Sequence, residues 1–188
     1  MSTDDDDPPL VSERSPSLAR ARHEYAHPAP TAAPAMIAAL TRLLEAEHDA
    51  ASLCAVAASL LAAAAPAGDP AGVTGDPAGV IADLAEAHQA RCDALARTLA
   101  QLGAAAPRPE QYSRVLARDP DDLRYGRSAA ELIAAAAATE DELTSFYTRI
   151  LARDDVPEPV RERLLGHRSE QADHQAQVAA LTPAALRL

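Results

Sequence analysis

Residues 128–181 read SAAELIAAAAATEDELTSFYTRILARDDVPEPVRERLLGHRSEQADHQAQVAAL, and their periodicity is the strongest indication of the fold. Before the DDVPEP break, one set of side chains recurs at spacings of three and four residues, the pattern of a single helix stripe: Ile133, Ala136, Glu140, Leu143, Tyr147 and Ile150. A second stripe follows the break: Val160, Leu164, His167, Gln171, His174, Val178 and Leu181. The stretch predicts two antiparallel helices with polar side chains inside otherwise apolar stripes.

Two earlier segments repeat this pattern. The first predicts a helix over 34–65 with an inward stripe of Met36, Leu40, Leu43, Glu47, Ala50, Cys54, Ala57 and Leu61. The second predicts a helix over 78–102, capped by Asp76 and Pro77, with a stripe of Ile81, Leu84, His88, Cys92, Leu95, Leu99 and Leu102. Ser128 and Glu131 form the capping-box pattern at the start of the third helix. The chain therefore predicts four helices, each with an inward-facing stripe.

The connections between these helices predict the topology. The segment between the second and third helices, 104–127, is too long for a tight turn and can cross the height of a bundle. We therefore expect an all-α, ferritin-like four-helix bundle, up-down-down-up, with a long crossover between helices 2 and 3. The bundle is expected over 34–182, after a disordered acidic and proline-rich leader over 1–33 and before a short tail over 183–188.

Composition excludes several classes of function. The formal charge of −11 disfavours binding to nucleic acid or to an anionic membrane surface. The chain contains no lysine, which excludes Schiff-base chemistry and a P-loop. No apolar run reaches the length of a membrane span, and the acidic start does not resemble a signal peptide. These features predict a cytoplasmic protein that binds neither nucleic acid nor membrane.

Several motifs resemble a bacterial ferritin-like family that is still described as a domain of unknown function. The resemblance covers about 36–181 and is clearest in the segments Thr139-Glu140-Asp141 and Phe146-Tyr147. The late histidine His174, the pair Leu102-Gly103 and the position of Asp49 are also similar. The sequence departs from the family at the crossover, which lacks a tryptophan-bearing segment, and at Ala94, where a glutamate is common. The resemblance implies the fold but no established activity.

The polar side chains of the stripes were tested against the ligand pattern of a di-iron bundle, one Glu from each of two helices and a Glu-x-x-His from each of the others. Glu140, Glu170 and His174 are predicted at similar heights on helices 3 and 4, where they could form half of an iron or manganese site. The other candidate metal ligands are Glu47, His88 and His167. Counting about 1.5 Å per residue from the helix ends predicts different heights for Glu47 and His88, so the other half-site is expected to be broken.

Two functional hypotheses follow. The first is a non-enzymatic bundle with a degenerate metal site and a structural or protein-interaction role, in which buried Glu and His side chains satisfy one another and the chain forms a homodimer or binds another protein. The alternative is an iron- or manganese-binding protein, either an iron-handling protein or a ferroxidase-like oxidoreductase. The tail also resembles tags that direct cargo into encapsulin shells, which predicts an encapsulated protein as a further alternative.

Overall fold

The computed structural model describes residues 34–64 and 76–181. These residues form four α-helices: α1 (Pro34–Ala64), α2 (Pro77–Gln101), α3 (Ala129–Leu151) and α4 (Glu158–Leu181). Two short 3₁₀ helices, Pro109–Gln111 and Pro120–Arg124, lie in the connection between α2 and α3. The prediction of an all-α four-helix protein is confirmed, and the described residues contain no β-strand. The predicted leader over 1–33 and tail over 183–188 lie outside the described residues.

Local capping fixes where two of the helices begin. The Asp76 side chain accepts a hydrogen bond from the backbone N–H of Gly79 at 3.0 Å, and Pro77 occupies the first position of α2, where no N–H donor is needed. At the start of α3, Ser128 and Glu131 accept reciprocally from each other's backbone N–H. The predicted caps are therefore confirmed, and they set the register of the polar side chains farther along both helices.

Apolar side chains form clusters on either side of a polar middle. One cluster joins the C-terminal half of α1 to the first turns of α2 and α3 and to the end of α4: Leu53, Cys54, Ala57, Leu61, Ile81, Leu84, Leu132, Ile133, Ala136 and Val178. Another joins the N-terminal half of α1 to the C-terminal parts of α2 and α3 and to the start of α4: Met36, Leu40, Leu43, Leu44, Cys92, Leu95, Leu99, Tyr147, Ile150, Val160 and Leu164. A fully buried leucine or isoleucine contributes about 1.5–3 kcal/mol. These clusters hold the four helices in register around the middle layer.

The segment that connects α2 to α3, which the sequence predicts as a crossover, is hydrogen-bonded to carboxylates of α1. Asp49 Oδ2 accepts from the backbone N–H of Val115 at 2.6 Å and of Leu116 at 3.1 Å. Glu45 Oε1 accepts from the N–H of Ser113 at 3.1 Å. Because the segment has little regular structure to satisfy these donors, the two side chains of α1 take the place of a backbone partner.

The packing of the four helices against one another is uneven. α1 packs mainly against α2 and α3, whereas α4 packs against α3 and α2. α2 and α3 make few contacts with each other. Among the described residues, no helix combines the length and the apolar character that a membrane span requires.

Candidate functional site

The middle layer of the bundle is organised by His88, which is completely buried. Its Nδ1 lies 2.7 Å from Glu47 Oε2 on α1, and its Nε2 lies 2.9 Å from Glu140 Oε1 on α3. Burial alone would lower the pKa of His88, but hydrogen bonds with Cys54, Glu140 and Glu47 raise this pKa well above its usual value. An imidazole whose two nitrogens both face carboxylates donates from both, so His88 is an imidazolium bridging α1 and α3.

Glu47 has three polar partners in this layer. Besides His88, it accepts a hydrogen bond from the hydroxyl of Tyr147 on α3. Burial alone would raise the pKa of Glu47, but the hydrogen bond and charge of His88, together with the charge of Arg91, bring it below its usual value. Burial and the Glu47 charge raise the pKa of Tyr147 well above its usual value. Glu47 is therefore an ionised acceptor and Tyr147 a neutral donor.

Arg91 brings a second positive charge into the layer, although only 2% of its side chain is exposed. Its Nη1 lies 3.7 Å from Glu47 Oε2 and donates to Gln171 Oε1 at 2.6 Å. Its Nη2 donates to His174 Nδ1 at 2.9 Å, and its Nε lies 3.5 Å from Glu170 Oε2. A guanidinium spreads several N–H donors over a planar fork, so this one side chain links α2 to both α1 and α4.

Gln171 completes the layer from α4. Its Nε2 donates to the backbone carbonyl of Glu140 at 3.1 Å and also to Glu140 Oε2. Glu140 therefore has partners on α2 and α4, and it is completely buried. Every helix of the bundle contributes at least one buried polar side chain to the layer: Glu47, His88, Arg91, Glu140 and Gln171.

The charges of this layer cancel. Two buried carboxylates, Glu47 and Glu140, face two buried cations, His88 and Arg91. A buried charge without a partner is costly, whereas a fully paired and hydrogen-bonded set is tolerated. The layer is thus neutral as a unit with protons and protein groups alone.

Cys54 adds a potential metal ligand beside this layer. Ligand atoms of Cys54, His88 and Glu140 all lie within 4.8 Å of one another, and all three residues are buried. Burial is the main cause of a raised pKa at the Cys54 thiol. Sulfur, imidazole nitrogen and carboxylate oxygen are the three donor types that bind zinc in proteins. The group could therefore hold one metal ion.

The expectation that Glu47 and His88 lie at different heights was wrong, because they are in hydrogen-bond contact. Counting from the helix ends failed because the ends are not level. α1 continues to Ala64 with residues 62–64 exposed, whereas α2 begins at Pro77. At about 1.5 Å per residue, the C-terminal end of α1 extends about 9 Å beyond the start of α2.

The other predicted ligands divide between the layer and its edge. Glu140 lies at the centre, and His174 Nδ1 is 4.0 Å from Glu140 Oε2. Glu170 has 61% of its side chain exposed and contacts Arg91 rather than Glu140. His167 lies beside the ring of Tyr147, with ring centroids 6.2 Å apart, and its buried Nδ1 has no hydrogen-bond partner. Burial lowers the pKa of both histidines.

Sequence reasoning missed Arg91 and the role of Tyr147 as a donor. Arg91 follows His88 by three residues, so both project from the same side of α2. That spacing was a readable signal, but arginines are mostly exposed and the residue lies outside the apolar stripe. Tyr147 was placed correctly on the stripe of α3. Its hydrogen bond to Glu47 was not predicted, because it depends on the relative heights of α1 and α3.

These observations define the class of the protein as an all-helical four-helix bundle with a buried, charge-balanced polar centre. No protein-family model, curated protein or solved structure matches the chain. The resemblance to a ferritin-like family therefore stays a prediction.

Proposed function

We propose that the chain is a non-enzymatic, ferritin-like helical bundle whose polar centre has a structural role. The observation that carries the proposal is the bridge from Glu47 through His88 to Glu140, with Arg91 supplying the second positive charge. This set is neutral and hydrogen-bonded without a metal ion, so the folded state does not depend on one.

The arrangement of the helices supports the ferritin-like part of the proposal. Apolar clusters place the C-terminal half of α1 beside the first turns of both α2 and α3. α2 and α3 would then run in the same direction, which requires a connection as long as 102–128 to cross the bundle. An up-down-down-up order of helices accounts for both features.

A di-iron or di-manganese oxidoreductase is the weaker candidate, because the buried donor set does not fit two metal ions. Such centres use four carboxylates and two histidines. Here only Glu47 and Glu140 are carboxylates of the central layer, and Glu170 is mostly exposed. Two divalent ions would also bring four positive charges next to the Arg91 guanidinium, which lies 3.7 Å from Glu47.

Two measurements test the structural role. Protein treated with a strong chelator should keep its helical circular dichroism and its unfolding midpoint in urea, and it should not accelerate the oxidation of Fe²⁺ by oxygen above the rate in buffer. Unfolding on removal of metal would overturn the proposal, and so would catalysed Fe²⁺ oxidation that is abolished by Glu140→Gln. The matched control for the second assay is Glu142→Gln, which changes a carboxylate of the same helix outside the layer.

The remaining parts of the sequence hypothesis stay predictions. A homodimer or another protein partner would be detected by the mass of the purified chain in solution. Loading into an encapsulin shell depends on the tail over 183–188, which lies outside the described residues.

A further inference from the structure

Cys54 is a buried potential ligand that the structural role does not use. It lies on α1, completely buried, seven residues after Glu47 and therefore two turns farther along the same stripe. Its partners, His88 and Glu140, come from α2 and α3, so each donor is held by a different helix. Donors on three packed helices are pre-positioned by the fold.

We propose that Cys54, His88 and Glu140 form a site for one divalent cation of the zinc class. In a tetrahedral zinc site the bonds to sulfur, nitrogen and oxygen are about 2.3, 2.1 and 2.0 Å, which sets ligand atoms about 3.3–3.6 Å apart. The atoms here lie within 4.8 Å of one another, and His88 Nε2 is 2.9 Å from Glu140 Oε1. Movements of about 1 Å would bring all three to bonding distance.

The roles of the two His88 nitrogens follow from their neighbours. Nε2 faces Glu140 and is the nitrogen that binds the metal, whereas Nδ1 faces Glu47 at 2.7 Å and keeps its proton. A metal-bound histidine commonly donates its other N–H to a carboxylate, which fixes the ring and its tautomer. Glu47, held in turn by Tyr147, supplies that carboxylate.

Charge limits the site to one ion. When the metal binds, His88 Nε2 and the Cys54 thiol each release a proton to solvent. The Cys54 thiolate and Glu140 then carry two negative charges that a single divalent cation balances. Glu47 is balanced by Arg91, which lies 3.7 Å away. A second cation would leave the buried layer with an uncompensated charge of two, which the interior does not tolerate.

The donor types select the kind of cation. Thiolate and imidazole favour zinc and related transition metals, whereas magnesium and calcium require oxygen ligands. His174 lies at the α4 edge of the layer, where its side chain is partly exposed and its Nδ1 is 4.0 Å from Glu140 Oε2. Because this nitrogen already accepts a hydrogen bond from Arg91 Nη2 at 2.9 Å, a water molecule takes the fourth position. This inference goes beyond the structural role, which requires no metal.

The test uses the full chain, stripped with a chelator, reduced and kept free of oxygen, with Co²⁺ and Zn²⁺ as probes. We expect one Co²⁺ per chain with a thiolate-to-cobalt charge-transfer band, which one equivalent of Zn²⁺ removes and a large excess of Mg²⁺ does not. Cys54→Ser should abolish the band. Cys92→Ser is the matched control, since Cys92 is also buried but lies outside the group, and it should keep the band.

Glu47→Gln should retain the band but weaken Zn²⁺ binding by about 10- to 100-fold, the usual effect of changing the residue that orients a metal-bound histidine. X-ray absorption at the zinc edge of the unaltered protein needs no variant and should show one sulfur ligand. Two sulfur ligands or none would overturn the proposal, as would the absence of a Co²⁺ band or its survival in Cys54→Ser. If stripped protein stays folded but binds no Co²⁺, this inference fails while the structural role stands.

Discussion

His88 on α2 and Glu140 on α3 are joined by a hydrogen bond of 2.9 Å between Nε2 and Oε1, although their helices make few other contacts. The same imidazole reaches Glu47 on α1 through its other nitrogen. One side chain therefore connects three helices at the level where apolar packing is interrupted. The charges strengthen the link from Glu47 through His88 to Glu140. They also make it costly to break, because removing one of these side chains leaves a buried charge without a partner.

Replacing His88 should be one of the most destabilising single changes in the bundle. His88→Gln in chelator-treated protein removes a positive charge and leaves Glu47 and Glu140 with Arg91 alone. We expect a loss of about 3–5 kcal/mol in the free energy of unfolding, measured by urea titration followed by circular dichroism. His48→Gln is the control, because His48 lies on α1 outside the layer, and it should cost less than about 1 kcal/mol. Equal losses in the two variants would show that the bridge does not stabilise the fold.

Stability should fall as the pH rises above neutrality. The pKa of His88 is raised in the folded state, so above the usual value of 6.5 the unfolded chain has lost a proton that the folded protein still holds. The His88 contribution is therefore complete below 6.5 and is lost as the pH rises through the folded-state value. While His88 stays protonated in the folded state, the free energy of unfolding should decrease by about 1.4 kcal/mol per pH unit.

The two buried thiols also lower the stability as the pH rises, but only above pH 9.0, their usual pKa. Burial raises the pKa of both thiols in the folded state, that of Cys92 to about 12. Urea titrations between pH 6.5 and pH 9.0 therefore measure the contribution of His88. In that range, His88→Gln should make the free energy of unfolding nearly independent of pH. On the acid side, the lowered pKa values of Glu47, His167 and His174 predict that stability falls again as the pH decreases. A slope above neutrality that is unchanged in His88→Gln would contradict the assignment.

Arg91 and Glu47 should be energetically coupled. Arg91→Met removes the second cation and leaves Gln171 Oε1 without its donor, so we expect a loss of about 3–5 kcal/mol. Glu47→Gln removes the charge that Arg91 balances, and the double variant should be more stable than the sum of the single effects predicts, by about 0.5–3 kcal/mol. Arg97→Met, on the exposed side of α2, is the control and should change stability by less than about 0.5 kcal/mol. Strict additivity would mean that the two charges act independently.

The fold was readable from the sequence because helix periodicity is a local signal. The stripes containing Glu47, His88 and Glu140 were predicted as buried, and all three residues are completely buried. The Asp76 and Ser128 caps were equally readable, since a cap depends on residues three positions apart.

The side chains that meet in the site were harder to predict from the sequence. Their contacts depend on the relative heights of helices that are distant in sequence. The C-terminal end of α1 extends about 9 Å beyond the start of α2, which places Glu47 opposite His88, and no local pattern encodes that offset. Glu140 was likewise predicted at the height of Glu170 and His174, whereas its hydrogen-bond partners are His88 and Gln171. Arg91 was missed because its burial follows from its partners rather than from its own side chain.

Asp49 should control how firmly the crossover is held against α1. Asp49→Ala removes the acceptor of the Val115 and Leu116 N–H groups, which leaves two backbone donors without a partner. Both hydrogen bonds are part-buried, and a fully buried unsatisfied donor costs about 1–3 kcal/mol, so we expect a loss of about 1–3 kcal/mol in the free energy of unfolding. Amide hydrogen exchange at these two residues should accelerate more than exchange in α3, because the crossover would detach before the bundle opens.

The matched change is Asp93→Ala, which removes an exposed carboxylate of α2 whose partner is the side chain of Gln89. It should leave exchange at Val115 and Leu116 unchanged. If Asp49→Ala accelerates exchange equally throughout α1 and α3, the crossover is part of the cooperative core. In that case Asp49 stabilises the whole bundle rather than one segment, because local and global opening would then have the same free energy.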